Sequence, residues 1–157
     1  MSSILFICTA NRYRSPIAAA CFKRELSQRQ LEQAWEVQSA GTWAQDGLPA
    51  MPDAIMYARQ FGLDIREHRS REVTAQMLKA ADLVVVMERD HKEALQLEFQ
   101  SSRHKLVLLT EVVEGIPNDI DDPVRFAKSD QAVSEICRLI QTGFEKICAA
   151  ALRGASG

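Results

Sequence analysis

Unbroken apolar runs alternate with stretches of helical periodicity along the whole chain. Ser3-Ile4-Leu5-Phe6-Ile7 is the first such run and reads as a buried strand. Ser15-Pro16 then reads as a helix start, with a hydroxyl at the N-cap and proline at the first helical position. Ile17, Ala18, Cys21, Phe22 and Leu26 form the apolar stripe of that helix. Trp35 to Ala40 is a second strand closed by Gly41, and Pro52 to Phe61 a second helix stopped by Gly62. Asp82-Leu83-Val84-Val85-Val86-Met87 is the plainest buried strand, followed by a helix from about Asp90 to Phe99. Lys105 to Leu109 makes a fourth strand. A long helix starts near Ser129, with Ala132, Val133, Ile136, Leu139, Ile140, Phe144 and Ile147 on its inner face. Arg153 to Gly157 are expected to fray.

Such alternation predicts an α/β fold in three layers, a four-stranded parallel sheet with helices on both faces. Repeats, low-complexity linkers and a second apolar core are not visible, so residues 1–157 read as one domain. In a sheet of this kind, ligands bind beyond the carboxyl ends of the strands. The segments after Ile7, after Ala40 and after Leu109 are therefore the places to look for chemistry.

Composition narrows the choices only a little. Nineteen basic against 21 acidic residues give a net charge of -2, which does not suggest a nucleic-acid partner. Arg outnumbers Lys thirteen to six, which suits a protein that meets phosphate, because guanidinium grips oxyanions in a bidentate way. The N-terminus lacks a basic n-region and reaches Asn11 and Arg12 too early for a signal peptide. No apolar run approaches the roughly 18 residues of a membrane span. A cytoplasmic location without membrane attachment is expected, with Cys8, Cys21, Cys137 and Cys148 as free thiols. Cys137 and Cys148, eleven residues apart on one helix, lie about 16 Å from each other and cannot pair. His68, His91 and His104 show no metal-ligand spacing, so no metal is expected.

The chemistry concentrates in Cys8-Thr9-Ala10-Asn11-Arg12-Tyr13-Arg14-Ser15. Between a strand end and a helix start, a short loop can curl until successive N–H groups converge on one point. The helix N-terminus adds about half a positive charge there. These donors and Arg14 would stabilise a Cys8 thiolate and would equally cradle the oxygens of a phosphoryl group in flight. Ser15 can offer its hydroxyl to the thiolate. Asn11, among the residues that best tolerate positive φ, can brace the tight loop. After the fourth strand, Asp119, Asp121 and Asp122 are candidate proton donors to a leaving oxygen. Pro123 fixes the direction of Asp122, which makes it the first choice, with Asp121 in reserve.

These residues resemble the low-molecular-weight protein tyrosine phosphatase family. The likeness lies in Ile7 to Pro16, Ser39-Ala40-Gly41-Thr42, Gly62-Leu63, His68-Arg69-Ser70-Arg71, Asp82 to Met87 and Asp122-Pro123. It implies the phosphotyrosine protein phosphatase I-like fold and phosphomonoester hydrolysis through a phosphocysteine on Cys8, without metal or organic cofactor. Arg14 would bind phosphate, Asp122 would be general acid and then base, and Thr9, Ala10, Asn11, Arg12, Tyr13 and Ser15 would complete the phosphate loop. Ser39 and His68 would support that loop. Substrates would be phosphorylated proteins, phosphotyrosine above all, or small phosphomonoesters, and phosphate or similar oxyanions would bind.

The chain departs from the family pattern at several points. Ala10 stands where Gly is frequent. Tyr13 stands where many members carry a second cysteine, so an oxidised Cys8 cannot be protected by a disulfide within the loop. Arg12 occupies one side of the pocket mouth, where phosphotyrosine enzymes often have Ile and the phosphoarginine subfamily Thr. A cation there should disfavour a phosphoguanidinium and favour acidic surroundings of the phosphate. Val124-Arg125 replaces the expected aromatic residues after Asp122-Pro123. The substrate wall is thus expected from Arg12, Val124 and Trp43.

Overall fold

In the computed structural model, which describes residues 1–126 and 129–156, four strands form one wholly parallel sheet. They are β1 (Ser2–Cys8), β2 (Trp35–Gly41), β3 (Leu83–Val86) and β4 (Leu106–Leu108), in the order β2-β1-β3-β4. Among the described residues seven α-helices connect or follow them: α1 (Arg14–Gln28), α2 (Pro52–Gln60), α3 (Ala75–Ala80), α4 (Arg89–Glu98), α5 (Leu109–Glu114), α6 (Pro123–Phe126) and α7 (Ser129–Ser156). The expected α/β architecture is therefore the observed one.

Alternation along the central strands separates two cores. Ile4, Phe6, Leu83 and Val85 face one side, where they pack with α1, α2, α5 and α7. Leu5, Ile7, Val84 and Val86 face the other, against Leu78 of α3 and Leu95 of α4. Because β1 and β3 are covered on both faces, they lack the polar alternation of a half-exposed strand. Phe22 organises the larger core, with its ring centroid 5.8 Å from Phe6, 5.4 Å from Trp35 and 5.2 Å from Phe144. Burying each of the three phenyl rings, Phe6, Phe22 and Phe144, stabilises the fold by about 2–3 kcal/mol.

The sheet order puts the site where it is. The chain leaves β1 toward β2 on one side and later places β3 on the other, so a crevice opens beyond the carboxyl end of β1. Cys8 is the last residue of that strand and pairs in register with Gly41, while Ile7 pairs with Val86.

Several expectations are corrected. The first helix begins at Arg14, with Tyr13 at its N-cap and no side-chain cap bond. Ser15 is the second helical residue and Pro16 the third, where the missing N–H has no helical acceptor in any case. The fourth strand ends at Leu108, and Leu109 already starts α5. Helices α3 and α5, six residues each, are too short to show an apolar period. The end of α7 stays helical to Ser156. Gly154 lies so close to the Asp82 carbonyl that a Cβ there would sit 2.0 Å from its oxygen, so the helix end is docked rather than free.

The four cysteines are free thiols, but Cys137 has a neighbour that spacing along α7 did not reveal. Its Sγ lies 2.8 Å from that of Cys21 across the α1–α7 contact. The bond to Cys137 and burial both push the Cys21 thiol up, and the same bond draws Cys137 down, so Cys21 is the donor. Among the described residues no helix is long and apolar enough to cross a membrane.

Candidate active site

Residues 9–13 turn from the end of β1 into α1, and none of the backbone N–H groups from Thr9 to Ser15 donates to a protein acceptor among the described residues. Seven consecutive amides are thus left for an anion, with the first turn of α1 contributing two of them. Cys8 opens this loop, 2% exposed.

A relay of hydrogen bonds sets the environment of its sulfur. The Arg71 N–H donates to Asn11 Oδ1 at 3.0 Å, which fixes the orientation of the Asn11 amide. Asn11 Nδ2 then donates to Ser15 Oγ at 2.8 Å and to Ser39 Oγ at 3.0 Å. With its oxygen accepting from Asn11, the Ser15 hydroxyl can give its hydrogen to Cys8 Sγ, 3.0 Å away. Asn11 itself holds φ at 57°, the left-handed region, and the His68 ring donates from Nε2 to its carbonyl at 2.6 Å. Burial, with Arg71, Lys23 and Arg69 nearby, holds His68 below the usual histidine range against the opposing effect of that bond. Ser39 and His68 therefore stand around the loop, and His68, Ser39, Lys23, Arg69 and Arg71 line a cleft of about 460 Å³ behind it.

Gly41 supports the loop by what it lacks. A Cβ on Gly41 would sit 2.3 Å from the Thr9 carbonyl oxygen and 3.0 Å from the Asn11 nitrogen. The space is taken up by backbone docking, in which Thr42 N donates to Cys8 O and Trp43 N to Thr9 O, both at 2.9 Å.

Arg14 is the largest fully buried polar side chain, 2% exposed. Its Nη1 donates to Glu88 Oε1 in an ion pair and to Ile120 O at 2.7 Å. That leaves Nη2 on the loop side, 3.4 Å from Thr9 Oγ1 and 3.9 Å from Asp122 Oδ2. The segment carrying the acids is pinned to the sheet, because Ile120 N donates to Met87 O at 2.8 Å and Asn118 bonds Thr110 through both backbone groups. Of the three carboxylates, Asp119 is engaged by Arg89 through its backbone N–H and its guanidinium. Asp121 is exposed. Asp122 is the one that faces Arg14, its other oxygen accepting from Val124 N at 3.0 Å.

The residues named for the substrate wall are placed less tightly. Arg12 is half-buried and its Nε donates to Pro49 O at 2.8 Å. Trp43 and Val124 are 83% and 61% exposed. Tyr13 is buried, and burial pushes its phenol up as it faces Ser129 at the start of α7. Ala10 is exposed on the loop. Among the described residues no group of three His, Cys, Asp or Glu side chains is placed to hold a metal ion.

A family model described as low molecular weight phosphotyrosine protein phosphatase matches residues 3–155. The chain belongs to this family. A chain from Ralstonia solanacearum, named a probable low molecular weight protein-tyrosine-phosphatase, is 34% identical over 145 residues and covers 92% of both chains. The protein-arginine-phosphatase of Bacillus subtilis is likewise 34% identical, over 122 residues, covering 76% of this chain and 78% of that one. Among solved structures, a low molecular weight protein tyrosine phosphatase from T. tengcongensis superposes with a TM-score of 0.84 at 32% identity, over 93% of this chain and 99% of that one. The phosphatase fold and the phosphatase activity of the family thus extend to this chain.

Sequence reasoning missed Glu88 and His91. Both lie at the start of α4, directly beyond β3, and the rule that points to strand carboxyl ends applied to that strand as much as to its neighbours. The signal was Glu88-Arg89-Asp90-His91, a capping pattern with histidine in the third helical position.

Proposed function

We propose that this phosphatase removes phosphate from protein phosphotyrosine through a covalent phosphocysteine. Cys8 attacks phosphorus in line with the leaving oxygen, and Asp122 protonates that oxygen as the bond breaks. The loop amides and Arg14 carry the negative charge of the equatorial oxygens through both steps. Asp122, now a carboxylate, then takes a proton from water, which attacks the phosphocysteine and releases inorganic phosphate. What supports this reading is a loop that opens on Cys8 and carries seven amides without a protein acceptor among the described residues, with Arg14 Nη2 on the loop side 3.9 Å from Asp122 Oδ2.

Tyrosine rather than arginine is favoured by Arg12. A guanidinium at the loop edge repels a phosphoguanidinium leaving group while tolerating a neutral phenol. Trp43 and Val124, both exposed, are the apolar surfaces offered to a phenyl ring.

The deciding experiment is hydrolysis of para-nitrophenyl phosphate with chelator and reductant, beside Cys8→Ser and Asp122→Ala. Turnover is expected to survive chelation and to vanish in Cys8→Ser. Loss in Asp122→Ala should be severe, and greater for alkyl phosphates than for this good leaving group. A wild-type protein that binds phosphate without turnover would sink the enzymatic reading and leave a phosphate-binding module. Peptides carrying phosphotyrosine or phosphoarginine, run in parallel, test the substrate, and faster release from phosphoarginine overturns the tyrosine assignment.

A further inference from the structure

Two groups beside the cradle have no part in the mechanism above: the hydroxyl of Thr9 and the imidazole of His91. His91 is 5% exposed, and its two ring nitrogens are both engaged. Nδ1 faces the Glu88 backbone N–H at 3.2 Å. A backbone N–H can only donate, so Nδ1 carries a lone pair and the ring hydrogen sits on Nε2. Nε2 lies 2.8 Å from Thr9 Oγ1 and therefore donates to it. Burial and the nearby Arg14 push His91 down to about 4, against weaker upward effects of Asp119 and Asp122, so the ring is neutral at physiological pH.

Thr9 Oγ1 thus accepts from His91, and it also lies within 3.4 Å of Arg14 Nη2, a second donor. A hydroxyl has two lone pairs and one hydrogen. With both lone pairs facing donors, the hydrogen points away from His91 Nε2 and from Arg14 Nη2, and it has no protein acceptor among the described residues.

We propose that the Thr9 hydroxyl is an additional phosphate donor and that His91 is the positioning residue that forces it to donate. The inference rests on the phosphatase reading above. It adds to the loop amides one side-chain donor aimed at an oxygen already gripped by Arg14. Thr9 is the catalytic residue in this pair, and His91 acts only through it.

The test separates the two ring nitrogens of His91. His91→Asn can keep the acceptor for the Glu88 N–H but has no donor that reaches Thr9. His91→Gln can place an amide N–H near Nε2 but loses the acceptor. Thr9→Val removes the hydroxyl at nearly constant shape, and Thr9→Ser keeps it. All are assayed for para-nitrophenyl phosphate hydrolysis and for inhibition by inorganic phosphate, with thermal unfolding in parallel.

Thr9→Val and His91→Asn are each expected to lower kcat/KM about 10-fold, on the weak side for loss of one oxyanion donor, and to weaken phosphate inhibition. Thr9→Ser should stay near wild type. His91→Gln should recover most of what His91→Asn loses, even though it is the less stable protein. The double variant Thr9→Val with His91→Asn should lose no more than Thr9→Val alone. Wild-type activity in Thr9→Val overturns the proposal. So does rescue by Asn instead of Gln, which would mean that His91 serves only the start of α4. Absence of turnover in the wild type would instead refute the phosphatase reading itself.

Discussion

At the scale of single residues, the site depends on side chains whose charge or tautomer is set by burial. His91 and His68 both have native pKa values below the ordinary 6.5, His91 at about 4. A histidine held neutral in this way leaves the unfolded chain binding the extra proton as pH falls. The stability it contributes is therefore complete above about pH 6.5 and is lost progressively down to about pH 4. For His91, which faces Thr9, Arg14, Glu88, Asp119 and Asp122, the loss should be on the order of 2 kcal/mol. Urea titrations between pH 7 and pH 4.5 should show it, and His91→Gln should flatten the curve. A wild-type stability independent of pH across that window would contradict the assignment.

Arg14 makes the complementary case. Its guanidinium is 2% exposed, and Glu88 is its close carboxylate partner. Removing one member of a buried pair leaves the other charge uncompensated, at 3–5 kcal/mol when both are fully buried. Glu88 keeps 21% of its side-chain exposure, so Glu88→Gln should cost less, roughly 2 kcal/mol of stability. It should also reduce kcat/KM, because Nη1 loses its charged partner and is held in its orientation less firmly. Unchanged urea midpoint and unchanged kinetics would show that the charge of Glu88 is not needed to hold the guanidinium.

At the scale of elements, what the sequence made legible was whatever repeats with a period. β1 and β3 were plain because burial on both faces leaves unbroken apolar runs. The stripe of α7 from Ala132 to Ile147 was plain because it spans several turns. Helices α3 and α5 were not, since six residues do not establish a period. The Cys8 loop was readable because its chemistry is contiguous. Glu88 and His91 were not, because their roles come from contacts 74 and 82 residues away in sequence. The Cys21 and Cys137 contact was hidden for the same reason.

The end of α7 shows how an element boundary can be set by a backbone contact rather than by composition. A small, polar tail reads as frayed, yet Gly154 seats the helix against the Asp82 carbonyl. Gly154→Ala would raise helix propensity by up to about 1 kcal/mol but place a Cβ where no atom fits. A net loss of about 1–3 kcal/mol is expected, from overpacking against backbone. Thermal unfolding of the variant checks this, and a stabilised protein would mean the helix end can lift away at little cost.

For the whole molecule, the decisive feature is the position of β1 inside the sheet, with its loop completed by groups that follow each later strand. Arg14 meets Ile120 across 106 residues of chain, and Asn11 meets Arg71 across 60. Closing loops of this length has an entropic cost that is met only once the intervening layers pack. The thiol of Cys8 is present from the beginning of folding, but its cradle is among the last features to form. On dilution from urea, para-nitrophenyl phosphate turnover should return with the slowest phase of core fluorescence and never ahead of it. A nascent or partly folded chain would then carry an ordinary cysteine, and hydrolytic power would arise only as the final step of self-assembly.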